Sequence, residues 1–497
     1  MLAQILLNLN LIMHKHLLFS YKNPSPLYPN SKRKSKLLKS SLKLLIVLIF
    51  NLFSVVALSQ PQLVKDINTS NPTTSSSTPS NFIAINETLF FVGSNDTYGQ
   101  ELYKSDGSEE GTVLVKDINP GSNSSFCQNL TNVNGVLYFS AKNGLSGWEL
   151  WKSDGTKEGT KMVKDIFPGS GPSDLAHFHK TGNLLFFIAN DGVHGRELWK
   201  SDGSEEGTVL VKDIIPGSGD AFQYSLSINY EFTSSDHELF FKMDDETHGE
   251  ELWKSDGTED GTVLIKDINS GISNSNVNSP VFFNGNVYFF ANDGISGRSL
   301  WKSDGTEGGT IIVKVDLTGG GLIATSNFIY FLGFDNTSGS ELWKSDGTND
   351  GTILVKDINP GSNGSYPISL INSNDMIYFS ADNGLNGVEV WMSNGTESGT
   401  TMIKDIYPGI GTSFPQMLTA IGNDLFFNAK DEDGKQELWK SDGTEEGTFL
   451  VKDLRPGEGY SYPSNLTNLN GQLFFAANDG MLGMNFGKAM ELRRELI

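Results

Sequence analysis

The residues of this chain best suited to chemistry recur in register. Aspartate stands at Asp106, Asp154, Asp202, Asp256, Asp304, Asp346 and Asp442, with Asn394 in the remaining copy, each inside a Ser-Asp-Gly-Thr type of turn. A carboxylate in such a turn accepts backbone N–H bonds, and the following glycine takes a positive φ without steric cost. Three residues before each stands a large ring: Tyr103, Trp151, Trp199, Trp253, Trp301, Trp343, Trp391 and Trp439. Such a set either stacks on sugars or fills the space between packed sheets. One ring per unit is what stacked sheets require, so packing is the expectation.

Residues that break the register are fewer. His177 and His179 alternate as on a strand and, with His194 or Asp174, supply zinc-type donors, but no further ligand pair follows. The acidic turns Asp244-Asp245-Glu246, Asn292-Asp293 and Asp431-Glu432-Asp433 offer oxygen ligands without the alternating spacing of a calcium loop, so a solvated acidic rim is expected. No resident metal or cofactor is expected, calcium being the one ion worth testing. Nucleophile elbows and phosphate-binding loops are absent, and Cys127 is the single cysteine.

The elements that position these residues follow from the repeat. The unit at 101–118 returns at Glu149, Glu197, Glu251, Ser299, Glu341, Glu389 and Glu437, at intervals of 48, 48, 54, 48, 42, 48 and 48 residues. A unit of this length holds four short strands, the size of a propeller blade. Three strands are legible: an aromatic run first seen at 137–141, the Glu-Leu-Trp-Lys segment, and the Val-Lys-Asp-Ile segment. The fourth is expected near 129–134. A second glycine, Gly111 and its equivalents, precedes a threonine in all eight copies and belongs to the same hairpin. An insertion of six residues around 220–235 carries Phe222, Tyr224, Tyr230 and Phe232; it reads as a tolerated surface insertion, or as an irregular loop that carries recognition.

The ends are complementary. Residues 61–67 copy the last strand of the unit alone, and 471–480 copy the aromatic strand and its turn. The expected fold is therefore all-β, a propeller of eight or nine four-stranded blades with the terminal halves closing the ring. Residues 60–81 are read as that closing strand followed by a Ser/Thr/Pro-rich linker, 82–484 as the repeat domain, and 485–497 as a divergent, truncated-looking tail.

Residues 1–59 are of another kind. They contain eight Lys or Arg and no Asp or Glu, with an apolar run at 44–58 and the small residues Ala57 and Ser59 before Gln60. This reads as a signal peptide with a basic N-terminal extension, and membrane contact is expected only through this segment if it is uncleaved. The whole chain has a net charge of −22, and the part from Gln60, with 29 basic and 59 acidic residues, has −30. So negative a surface excludes nucleic acid as a partner.

Taken together, the repeated Glu-Leu-Trp-x-x-Asp-Gly-Thr residues over about 61–480 resemble the ELWxxDGT repeat family, also called hyalin-like, of secreted bacterial proteins. Tyr103, Ser299 and Asn394 depart from its pattern. The resemblance implies export, a secreted or cell-surface setting and a propeller-like architecture; it brings no catalytic residues. The expected function is a non-catalytic scaffold or adhesin-type module binding an extracellular glycan or protein. The alternative is a propeller enzyme, a polysaccharide lyase or glycoside hydrolase, with unrepeated acids and bases at the channel mouth.

Overall fold

The structure, a computed structural model, describes residues 61–68, 76–222, 231–457, 459–480 and 483–489, and among these all regular structure is β. The leader lies outside the described residues. Blade two shows the pattern: strands Gln128–Val133, Val136–Ala141, Glu149–Ser153 and Lys161–Lys164 pair antiparallel in chain order. Its middle strands carry continuous apolar residues because a sheet lies against each of their faces, so neither face is left for water. Leu137, Phe139 and Leu150 are accordingly buried. The weakest strand of the sequence reading, near 129–134, is the first strand of this blade.

Nine such sheets follow one another. Each first strand lies beside the first strand of the next blade, and that of blade nine, Ser464–Leu469, returns to that of blade one, Ser80–Ile85. The chain is a closed nine-bladed β-propeller with the first strands around its axis.

Blade nine is the composite that the complementary ends predict. Ser464–Leu469, Gln472–Asn478 and Met484–Ala489 come from one end, and Gln62–Lys65 pairs antiparallel to the last of them with Leu63 opposite Gly487. A lysine at the end of each fourth strand crosses to the next blade: Lys116 Nζ donates to the Thr160 carbonyl at 2.6 Å, Lys452 to Pro61 at 3.4 Å and Lys65 to Thr112 at 2.9 Å. These last two bonds tie the composite blade to both neighbours.

Two boundaries differ from the sequence reading. Within 60–81, residues 76–79 pack on the ring, Ser76 Oγ donating to the Met484 carbonyl at 3.0 Å and Ser77 Oγ to Asn485 Oδ1 at 2.8 Å, while Ser80 opens blade one. Within 485–497, residues up to Ala489 form the third strand of blade nine. The physical reason is shared: strand pairing needs backbone and an alternating pattern, not the consensus letters. The aromatic run also has an earlier copy at Thr88–Asn95, in blade one.

Candidate functional site

The repeated aspartates close their own turns. Asp106 Oδ1 accepts from the Ser108 N–H at 2.8 Å and its hydroxyl at 2.7 Å, and these bonds hold the carboxyl below the ordinary aspartate range. The same pair of bonds recurs at Asp154, Asp202, Asp256, Asp304, Asp346, Asn394 and Asp442. Gly107 has a φ of 91°, which accounts for the first glycine. The second has a different cause: a Cβ on Gly111 would stand 2.0 Å from Asp106 Oδ1. The threonine that follows shares a 2.7 Å hydroxyl pair with the turn serine, Ser105 with Thr112 and so on through Ser441 with Thr448.

The rings lie between sheets. Trp151 is 6% exposed and packs in one cluster with Ile85, Phe90, Leu102 and Val115 of blade one and Phe139 of its own blade. The other tryptophans of the repeat position, Trp199, Trp253, Trp301, Trp343, Trp391 and Trp439, are buried alike. Tyr103 stacks on Phe91 at 5.8 Å between blades nine and one.

The glutamate that opens the third strand was passed over in the sequence. Glu101, Glu149, Glu197, Glu251, Glu341, Glu389 and Glu437 are fully buried, and each carboxylate caps the segment crossing to the next blade. Glu389 accepts from the Ile406 N–H at 3.0 Å, the Ser413 N–H at 3.1 Å and the Ser413 hydroxyl at 2.6 Å. Burial outweighs these bonds and pushes Glu101, Glu149, Glu251 and Glu389 up to about 7 and Glu197 to about 8. Blade five has Ser299 instead, and the 42-residue interval follows it, so the glutamate is missing where the crossing is short. That coincidence was the available signal.

The irregular residues separate. His179 Nε2 lies 3.0 Å from Ser234 Oγ, and both His177 and His179 rings face Phe232. His194 pairs with Asp191 at 2.7 Å, which raises its pKa, and the carbonyl of Asp174 accepts from Arg196 at 3.2 Å. Among the described residues no three His, Cys, Asp or Glu stand where they could share a metal ion. The acidic turns cap themselves: Asp245 Oδ1 accepts from Thr247 and His248, Asp293 Oδ1 from Ile295 and Ser296, and Asp431 Oδ1 from Asp433 and Lys435. Of the insertion, Phe222 and Phe232 pack on Phe241, whereas Tyr224 and Tyr230 lie outside the described residues.

Antiparallel order sends the crossings and the second-to-third turns to one face and the other turns, with their Asp-Gly pairs, to the opposite face. The crossing face bears the most exposed apolar side chains: Ile295 is 92% exposed and Leu145 84% at turn tips, and Ile410 is 89% exposed in a crossing. Beside them, Phe126, Tyr366, Phe414 and Tyr462 hold φ of 50°, 50°, 45° and 45° at one equivalent point of four crossings. Blades one, three and five have Thr78, Asp174 and Asn276 there, also at positive φ.

No family model and no curated protein matches the sequence. Among solved structures it is similar to puromycin hydrolase, with 12% identity over 84% of this chain and 61% of that one and a TM-score of 0.40. It is also similar to prolyl oligopeptidase B from Galerina marginata, with 11% identity over 71% and 55% and a TM-score of 0.41. The chain thus spans about three-fifths of the hydrolase it matches. Likeness at this level carries nothing about activity.

No helix among the described residues is long and apolar enough to cross a membrane.

Proposed function

We propose that this chain is an exported, non-catalytic propeller scaffold whose crossing face binds a glycan or protein at the cell surface or outside the cell. The observation that carries the reading is the set of strained aromatic residues Tyr366, Phe414 and Tyr462 on the consecutive blades seven, eight and nine. Asparagine and aspartate tolerate the left-handed region; a bulky side chain there costs roughly 1–2 kcal/mol. The fold itself holds this backbone, the Tyr366 N–H donating to the Ser340 carbonyl at 3.0 Å and the Phe414 N–H to the Val388 carbonyl at 3.3 Å, yet it leaves Tyr366 60% exposed. Rings presented to solvent at such fixed positions suit either a sugar face or a protein surface. The repeated polar residues support a scaffold in another way: turn aspartates, buried glutamates and lysines are each engaged in holding the ring.

The test is a glycan array and a surface-protein pull-down with the intact protein, with and without calcium, beside the triple variant Tyr366→Ala, Phe414→Ala and Tyr462→Ala. The expected result is binding that the variant loses while its Tm stays within a few degrees of the parent. Binding indifferent to all three rings, or turnover of a bound polysaccharide, sinks the reading.

A further inference from the structure

Eight blades place a large ring at one point of the third strand; blade nine places Gly487 there. Gly487 stands opposite Phe475 and Leu63, as Trp151 stands opposite Phe139 and Met162. Around Trp151 lie Ile118 from the preceding blade, Phe139 and Ala141 of its own, and Lys116, whose Nζ is 5.9 Å from the ring centroid. Every one of these has a counterpart beside Gly487, namely Leu454, Phe475, Ala477 and Lys452, with Leu63 for Met162. The walls of the ring site are therefore complete. Between them is a cavity of about 220 Å³ that is open to solvent.

We propose that this cavity is a binding site for a planar aromatic ring of the indole or phenol type. Size permits it, since an apolar cavity of roughly 150 Å³ is enough to take benzene. The chemistry of the site is that of the eight filled positions. In six of the seven tryptophan blades the indole N–H has no hydrogen-bond partner, so these nests take a ring by shape and apolar contact and ask for no polar anchor. Lys452 lines the cavity as the counterpart of Lys116 and Lys266, whose ammonium groups each stand 5.9 Å from the centroid of the next blade's tryptophan, so it supplies a cation for a bound ring. Entry is from the outer rim, past Leu63, which is 46% exposed.

Nothing in the backbone demands a glycine at 487. A Cβ built there would meet its nearest neighbours, the Gln62 carbonyl oxygen and Phe475 Cζ, at 3.4 Å, an ordinary contact. The backbone thus admits a side chain at 487, and the space follows from the absence of one. None of Tyr366, Phe414 and Tyr462 lines the cavity, so ring binding here and partner binding on the crossing face succeed or fail separately.

The experiment is titration calorimetry and thermal shift on the intact protein with three probes: indole, N-acetyltryptophanamide and N-acetylleucinamide. Saturable binding of indole at one site per chain, with little response to the leucine probe, is expected. Gly487→Trp should raise the Tm by several degrees and weaken indole binding at least about tenfold; Ala477→Leu, which narrows the cavity from the adjacent strand of the same sheet, should weaken it too. If N-acetyltryptophanamide also binds, the natural source of the ring is a partner's side chain; if indole alone binds, it is a free small aromatic molecule. Equal binding of indole by the parent and both variants, an equal response to the leucine probe, or a Tm unmoved by Gly487→Trp overturns the proposal.

Discussion

Blades two and nine share one register and differ in the side chains placed on it. In blade two, Glu149 caps the crossing segment, Leu150 packs toward Leu185, Phe187 and Trp199 of blade three, and Trp151 spans the gap to blade one. In blade nine the same three points are Asn485, Phe486 and Gly487. Asn485 keeps the link to the following serine, accepting from Ser77 Oγ at 2.8 Å without burying a charge. Phe486 compensates by stacking on Phe91 at 4.9 Å and Phe474 at 5.6 Å. The fourth residue, Lys488, still reaches the next blade, donating to the Gly107 carbonyl as Lys152 does to Gly203. Pairing and closure therefore rest on backbone register and crossing lysines, while the glutamate and the indole stiffen and fill a blade that forms without them.

The largest expected effect comes from turning a regular blade into a blade-nine analogue. Trp199→Ala should cost about 3–5 kcal/mol in urea unfolding, because the two sheets that hold the ring cannot collapse onto the space. A loss below about 1 kcal/mol would mean that the rings do not fill the gap between blades.

Next is the buried carboxylate. Glu389→Ala strands the amides of Ile406 and Ser413 and should cost about 1–3 kcal/mol, whereas Asn485→Ala, after which the Ser77 hydroxyl keeps the Met484 carbonyl as acceptor at 3.1 Å, should cost about 1 kcal/mol or less. Equal losses would show that the charge-capable group is no more than a spacer.

A pH series sharpens the same contrast. The buried glutamates have folded-state pKa values above the ordinary 4.5, at about 7 to 8 in five blades. The folded protein then holds more protons than the unfolded chain, so their contribution is fully present below about 4.5 and is lost as pH rises through 7 to 8. The turn aspartates run the other way: held low by their serine and threonine bonds, they lose their contribution only as pH falls below the usual aspartate value. The Tm should be higher at pH 5 than at pH 8. Glu389→Gln should reduce that difference, and Asn485→Ala should leave it unchanged. A Tm that rises between pH 5 and pH 8 contradicts the assignment.

The smallest effect belongs to the turns. Asn394→Asp restores the common residue where the asparagine oxygen already makes both bonds, so the change should stay within about 0.5 kcal/mol.

Much of this was legible in the letters, because a repeat multiplies every local signal. The Ser-Asp-Gly-Thr turns state their own geometry, and the isolated strand at 61–67 announces a partner elsewhere in the chain. Less visible was the third strand of blade nine, since Asn485-Phe486-Gly487-Lys488 shares one letter with Glu-Leu-Trp-Lys. The role of Gly111 was also hidden: it reads as a turn glycine, yet its constraint is the carboxylate beside its Cα. The strained aromatics were unreadable, for φ at Tyr366 or Phe414 is set by how a crossing segment meets the next blade.

By itself the sequence determined most of the strands, the turns that join them and the eight repeated units, since periodicity and turn chemistry act over a few residues. Tertiary structure alone decided that nine blades close, that seven glutamates lie out of water, and that glycine at 487 lines a cavity. Those outcomes depend on contacts between blades, from residues about 48 positions apart to the two ends of the chain, and no local pattern encodes the distance between them.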